Sequence, residues 1–309
     1  MIEINSTKPN EWVKNLPQEK YHDDKTTVSS STLRLMHMES EAHFKSRFFD
    51  GDETKESNVM KLGTLIHKAI LEGNEFTSRY IVEPKFEGLT QDGKMSSQSK
   101  AAKEKRELWR AENYDKIIVT QEERDMIFGI IDSVMKHQDA MDFIRGCDTE
   151  VSGYYNDPGT GIRCRIRPDY KNSVDGILGD VKSVRSCKKN DFMWQMIRMG
   201  WDFQLAMYTE GMGVIDGREP FVSQFLAVEK VKPYACAVYI LDLGSVDWAQ
   251  TNYRKALIKL KNCLTTDVWR PYQERYETLS IPEKLMEQTI VEEHLIESDS
   301  DTENYGGEE

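Results

Sequence analysis

Two periods of apolar and polar residues alternate along this chain, and the places where one gives way to the other mark its elements. A two-residue period, the signature of a half-buried strand, is sharpest between residues 162 and 182. There Ile162, Cys164 and Ile166 alternate with Arg163, Arg165 and Arg167, and Ile177, Gly179 and Val181 alternate with Leu178, Asp180 and Lys182. Residues 149–156 alternate in the same way, and Pro158 and Gly159 mark a hairpin turn into the central run. Residues 220–229 and 234–242 read as two further strands.

A three-to-four-residue spacing predicts the helices. Ser29, Ser30 and Ser31 offer N-caps for one that runs to about Phe48, with Leu33, Met36, His37 and Phe44 near helical spacing. Met60 to Glu72 reads as amphipathic, with Leu62, Leu65, Ile66, Ala69 and Ile70 inward. His67 lies beside this stripe, where a lone histidine is more often structural than a ligand. Residues 101–113 look helical, and Thr120-x-x-Glu123 is a capping box opening a helix to about Lys136. Asn190 caps a helix to about Met212, in which Trp194, Ile197, Trp201, Leu205 and Tyr208 point to the core, and 246–264 forms a closing helix. Residues 50–58 and 87–103 read as loops.

Composition bounds what these elements can build. At 309 residues and 39% apolar content a sizeable core is within reach. No apolar run approaches the roughly 18 residues a membrane span needs, and the start MIEINSTKPNEW has no secretory signal pattern. Cys147, Cys164, Cys187, Cys236 and Cys263 are odd in number with no C-x-x-C pair, which points to reduced thiols in a cytoplasm and away from zinc or iron–sulfur binding. Residues 1–27 are expected as a flexible lead-in where Tyr21 and His22 could dock, 28–282 as one domain, and 283–309 as an acidic, disordered tail.

Charge changes the picture only once it is mapped. The net charge is −12, but residues 287–309 hold nine acidic residues and no Lys or Arg, so the rest carries −3. Residues 161–200 hold nine Lys or Arg against four Asp. A basic stretch in an acidic body fits a protein that grips phosphates locally, and also fits an ordinary solvated face.

The candidate chemistry sits in that basic stretch. Asp169 follows Pro168, ten residues intervene, and then comes Asp180-x-Lys182. Asp180 and Lys182 leave the same face of a strand, and Asp169 shares the face of the three arginines if Pro168 does not break the register. Two nearby carboxylates repel unless a hard cation such as Mg²⁺ lies between them, and a lysine beside them can orient water or offset developing charge. That pattern suits metal-assisted phosphodiester hydrolysis; an ordinary surface hairpin is the bland alternative. Glu150, near the start of its strand, is either a third carboxylate or a plain exposed acid. Gln204 and Tyr208 share a helical face, which could be aimed at a DNA backbone or at a metal-bound water.

In motif order the chain resembles the PD-(D/E)xK nuclease superfamily, and within it the catalytic domain of the exonuclease VIII, RecE-type, family. The resemblance spans about residues 20–270 and rests on VSSSTLRLM, LGTLIH, FTSRYIVEP, DPGTGIRCRIRPD, GDVKSV, Gln204-x-x-x-Tyr208 and NCLTTDVW. It implies an α/β (α+β) fold with a restriction-endonuclease-like core, a central mixed sheet flanked by helices. It implies that His67, Asp169 and Asp180 coordinate Mg²⁺ (or Mn²⁺), with the Val181 carbonyl a further ligand. Lys182 would assist the attacking water, with Gln204 and Tyr208 beside the active site and Glu150 on a strand where relatives carry an acid. Asp180 departs from the Glu of many members. The implied activity is a 5′→3′ exonuclease on double-stranded DNA ends that leaves 3′ single strands for a RecT-type annealing protein. The implied setting is a ring-shaped homo-oligomer of a phage or prophage in the bacterial cytoplasm. Arg163, Arg165, Arg167, Arg185, Lys188 and Lys189 are given phosphate contacts by position. The alternatives are an endonuclease with the same site, or a non-catalytic DNA-binding subunit on the same fold.

Overall fold

The strand that carries Asp180 and Lys182, Ile177–Val184, has a paired neighbour on each edge. In this computed structural model, which describes residues 2–51, 58–273, 275–281 and 283, it runs parallel to Val222–Glu229 and antiparallel to Tyr170–Asn172. Cys236–Ile240 and the short Asp148–Thr149 extend these neighbours, giving a five-stranded mixed sheet. This is the mixed α/β architecture expected of a PD-(D/E)xK core. Gly179 has no room for a side chain, because a Cβ there would lie 2.0 Å from the Tyr170 ring.

Alternation along the central strand feeds two cores. Leu178 and Val184 face a cluster with Phe203, Leu257 and Leu260 from helices Trp201–Asp216 and Leu243–Thr266. Val181 faces the other way, into a cluster with Ile66, Ala69, Ile127 and Ile130 from helices Asn58–Glu72 and Gln121–Lys136. Each of the Val, Leu, Ile and Phe side chains among these contributes about 1.5–3 kcal/mol on burial. A one-residue slip would exchange the Val181 face for the Asp180 and Lys182 face, so two-sided packing pins the register.

Pro168 does break the run before it. Arg163–Ile166 belongs to a separate three-stranded sheet, with Ser152–Asn156 in the middle and Glu11–Val13 at the edge. The hairpin partner of the central strand is therefore Tyr170–Asn172 rather than the arginine run. The lead-in expected over 1–27 is corrected as well. Ile2 and Tyr21 are buried, Ile4 bridges to Ile162, and Val28 bridges to Cys164. The polar composition of this segment is misleading because backbone bridges and a few side chains fasten it: Ile2 enters the core, and Trp12 Nε1 donates to Asp216 Oδ1 at 2.7 Å.

The helices follow their patterns with some interruptions. The Thr120 capping box forms, with Glu123 N donating to Thr120 Oγ1 at 3.1 Å and Thr120 N to the Glu123 carboxylate at 2.7 Å. The helix expected from Ser29 to Phe48 is instead a run of short pieces, Ser30–Leu33, Leu35–Met38, Glu41–Lys45 and a π-turn over Ser46–Asp50. The helix expected from Asn190 to Met212 starts at Lys189 and is divided by Gly200, which adopts a left-handed φ of 62°. Part of the expected loop 87–103 forms a small hairpin, Gly88–Leu89 with Met95–Ser96.

The chain divides into two units, Met1–Pro271 and Tyr272–Glu309; all the elements above lie in the first, and the expected acidic tail lies outside the described residues apart from Glu283. Among the described residues no helix is long and apolar enough to cross a membrane. All five cysteines are free thiols.

Candidate active site

Strand, hairpin and two helices bring most of the predicted residues to one cavity of about 420 Å³. His67, Glu150, Arg167, Asp169, Asp180, Lys182, Gln204 and Tyr208 all line it. Asp169, at the start of the hairpin, is fixed from two sides. Its Oδ2 accepts the Val181 N–H at 2.6 Å and lies 3.2 Å from His67 Nδ1. Burial alone would raise the Asp169 carboxyl, but the imidazole, Lys182 and the Val181 amide hold it below the usual carboxylate range. Burial likewise disfavours the His67 imidazolium, yet Asp169 outweighs it and the histidine is shifted upward.

Asp180 is in the opposite condition. Burial pushes its carboxyl up to about 6 and Asp169 pushes the same way, against the pull of Lys182. Its Oδ2 is in ionic contact with the Lys182 ammonium and accepts no well-aligned hydrogen bond. Gln204 ties the pair together from the neighbouring helix. It accepts from Lys182 Nζ at 2.8 Å and donates to Asp180 Oδ1 at 3.2 Å and to Tyr208 Oη at 2.8 Å. The i, i+4 spacing of Gln204 and Tyr208 delivers both to the same wall.

Glu150 stands on the rim with a positive φ of 53°, uncommon for a residue with a side chain. Its N–H donates to the Asp169 carbonyl at 3.1 Å, and its carboxylate pairs with Arg167 Nε at 3.0 Å. Burial and the Asp169 charge raise its carboxyl, with Arg167 pulling it down. The strained turn thus holds a third carboxylate beside Asp169.

Two expectations for the arginines are corrected. Arg163 and Arg165 are only 2% and 3% exposed. Arg163 Nη2 donates to the Pro9 carbonyl at 2.7 Å, and Arg165 Nη1 to the carbonyls of Asp24 and Thr27, each at 2.6 Å. The N-terminal segment lies across their face, so both fasten chain to chain instead of meeting phosphate. Arg167 keeps its place on the cavity wall and also donates to the Leu16 carbonyl at 2.9 Å. Arg185 lines a separate groove, and Lys188 and Lys189 are exposed away from the cavity.

Several wall residues carried little signal in the sequence. Thr64, Lys68 and Glu72, spaced four residues apart on helix Asn58–Glu72, join His67 on the cavity wall; only Thr64 is at helical spacing from His67 itself. Ser29, Ser30, Ser31, Tyr21 and His22 line the opposite side. The serines read only as caps, and the Tyr21 ring centre lies 5.1 Å from the Arg165 guanidinium and 5.3 Å from that of Arg167.

The donor set fits a hard divalent cation. Asp169 and Asp180 offer carboxylate oxygens, one of them without a well-aligned hydrogen bond, and His67 adds an imidazole. Among the described residues no three His, Cys, Asp or Glu side chains already form a cage. Magnesium does not need one, since it is held by one or two carboxylates and keeps several waters or phosphate oxygens.

A five-stranded mixed sheet that presents PD, D-x-K and a Q-x-x-x-Y helix to one cavity defines a PD-(D/E)xK-type domain. The chain belongs to the family described as PDDEXK-like domain of unknown function (DUF3799), whose model matches residues 29–280. No curated protein matches the chain. Among solved structures, the protein named Putative exonuclease from Eubacterium rectale superposes with a TM-score of 0.54 at 14% identity, over 90% of this chain and 99% of that one. At that identity the likeness is one of fold. The crystal structure of SSO0001 is 18% identical over 55% of this chain and 70% of its own, with a TM-score of 0.27, too low to bear on the fold.

Proposed function

We propose that this domain is a metal-dependent exodeoxyribonuclease that degrades one strand 5′→3′ from double-stranded DNA ends. The observation that carries the hydrolytic reading is the convergence of Asp169, Asp180, Lys182 and Gln204 in one cavity open to solvent. The exonuclease reading draws on the ordered motifs and on the name of the Eubacterium rectale neighbour. Release of 3′ single strands to a RecT-type annealing partner, a ring-shaped homo-oligomer and a phage setting in a bacterial cytoplasm belong to the same reading.

Asp169 and Asp180, with His67 and the Val181 carbonyl, would hold Mg²⁺ or Mn²⁺. Such an ion supplies polarisation of a phosphoryl oxygen and acidification of bound water. The chain's own groups do the rest. Lys182 places a positive charge beside the carboxylates, where it orients an attacking water and offsets charge developing on phosphate. Gln204 holds the Lys182 ammonium in position through its carbonyl and steadies Asp180 through its amide. Arg167 offers a guanidinium at the rim for an adjoining phosphate.

The test compares linear with covalently closed duplex DNA, without metal and with Mg²⁺ or Mn²⁺, for the wild type and Asp180→Asn. Loss of only the linear DNA, dependent on both Mg²⁺ and Asp180, is the expected result; end-labelled strands then read the polarity. Cutting of the closed circle would replace this reading with an endonuclease, and no cutting with either metal would leave a DNA-binding subunit.

A further inference from the structure

A second polar hollow lies just past the end of the catalytic strand, and one of its walls is an aromatic residue in an unexpected place. Helical spacing assigns Trp194 to the core, yet its side chain is 59% exposed. The buried stripe of helix Lys189–Met199 is formed by Phe192 and Met196 instead. Asp191, Trp194, Gln195 and Arg198, at i, i+3, i+4 and i+7, make up its outer face. Together with Arg185 and Ser186 they line a groove of about 680 Å³.

The contents of this groove match the chemistry of a nucleic-acid strand. An indole offers a flat face on which any base can stack, and two guanidinium groups offer forked donors for phosphate. Arg198 is kept on the face by its own helix, its Nε donating to the Trp194 carbonyl at 3.3 Å. Asp191 is the one acidic wall residue, and its carboxylate accepts from Ser186 Oγ at 2.8 Å. Lys188 and Lys189 add positive charge at the exposed start of the helix.

Its position relates it to the active site. Arg185 follows Lys182 by three residues at the end of strand Ile177–Val184, about 10 Å away at strand spacing. Trp201, in the helix after the groove, has its ring 5.3 Å from Lys182 Nζ.

We propose that the Arg185–Trp194–Arg198 groove is a subsite for single-stranded DNA, in which Trp194 stacks on a base and the two arginines hold flanking phosphates next to the cleavage position. This rests on the nuclease reading for its purpose but is tested without cleavage. Fluorescence anisotropy of a fluorescein-labelled oligothymidylate is followed with the full chain in EDTA, over a series of salt concentrations. Trp194→Ala is expected to weaken binding about 5- to 150-fold, the range for losing one base stack, and Trp194→Phe to retain most of the affinity. The double variant R185A/R198A is expected to make the slope of log K against log salt shallower by about 1.4, at 0.7 per phosphate released.

Wild-type affinity in Trp194→Ala together with an unchanged slope in R185A/R198A would overturn the proposal, as would Trp194→Phe binding as weakly as Trp194→Ala. Unchanged oligonucleotide binding with an altered sedimentation coefficient in Trp194→Ala would also overturn it, and would make the groove a contact between proteins. Failure of the nuclease reading is seen separately, as a wild type that binds the oligonucleotide through Trp194 but cleaves no DNA with either metal.

Discussion

Two clusters of charged residues meet helix Trp201–Asp216, one through Gln204 and the other through Glu210. One is the Asp169, Asp180, Lys182 and His67 group. The other joins Asp157, Arg254 and Glu210, with the Arg254 guanidinium in ionic contact with both acids. In both, a carboxyl is raised far from its ordinary value, Asp180 to about 6 and Glu210 to about 7, with burial the first cause in each. What separates them is access. The first opens onto a 420 Å³ cavity that none of the second group lines. The second ties the turn after strand Ser152–Asn156 to two helices: Asp157 also accepts from Thr160 N and Oγ1, each at 2.7 Å. A perturbed carboxyl is therefore a weak sign of a site by itself; leftover donors facing an open cavity are the stronger one.

The largest effects should divide these clusters cleanly. Asp180→Asn keeps the shape of the side chain and removes one carboxylate from the proposed metal site. DNA hydrolysis is expected to fall by a factor on the order of 10³ or more, measured on linear duplex at saturating Mg²⁺. Thermal stability should be equal or higher, because the crowding of Asp180 against Asp169 is relieved. A variant that loses stability along with activity would show that the first cluster is also structural. Arg254→Met is the reverse case. It leaves Asp157, with a side chain that is fully buried, without its ion-pair partner, and unfolding by denaturant should show a loss of roughly 3 kcal/mol. Cleavage per folded molecule should stay within a few-fold of wild type; a collapse of activity would join the two clusters into one functional network.

The sequence made the first cluster legible and left the second unseen, for a physical reason. Asp180-x-Lys182 and Gln204-x-x-x-Tyr208 are local patterns, and strand and helix periods alone place each pair on one face. The capping box at Thr120 and the hairpin at Pro158 are local in the same way. Asp157, Glu210 and Arg254 meet only through tertiary packing, and nothing in the spacing of 157, 210 and 254 announces it. The arginine alternation failed for a related reason. Period two correctly made Arg163–Ile166 a strand, but it carries no knowledge of the N-terminal segment that buries the polar face as thoroughly as the apolar one. Trp194 failed in the other direction, because an aromatic at helical spacing reads as core until the opposite stripe, Phe192 and Met196, is seen to fill that place. Glu150 was legible as a candidate third carboxylate but left undecided against a plain exposed acid, since its position depends on a backbone turn with positive φ.

A smaller effect sharpens the reading of the first cluster. Gln204 touches Lys182, Asp180 and Tyr208 through its one amide. Gln204→Leu removes these bonds and keeps the bulk of the side chain. Residues that orient a reacting group in this way commonly account for 10- to 100-fold in rate. That loss is expected in kcat, with the KM for DNA little changed. A loss in KM alone would move Gln204 from positioning Lys182 to binding the DNA.

A last expected effect is a pH dependence to which the second cluster contributes through Glu210. Glu210 has its carboxyl raised from 4.5 to about 7, by burial first and then by the neighbouring Asp157 and Glu219, with Arg254 opposing. Between those values the folded chain holds a proton on Glu210 that the unfolded chain has released. Stability from this group is therefore fully present below about pH 4.5 and is lost as pH rises through about 7. The slope cannot exceed about 1.4 kcal/mol per pH unit, the limit for one proton. Glu210→Gln should remove this part of the slope, so the wild-type and variant stability curves from denaturant titrations should converge at low pH. Above pH 7 the variant should lie higher, because the upward shift remains after the pull of Arg254 is counted. Curves that stay parallel across the range would mean that Arg254 holds Glu210 ionised throughout, and the second cluster would then be a permanent ion triad with no titrating member.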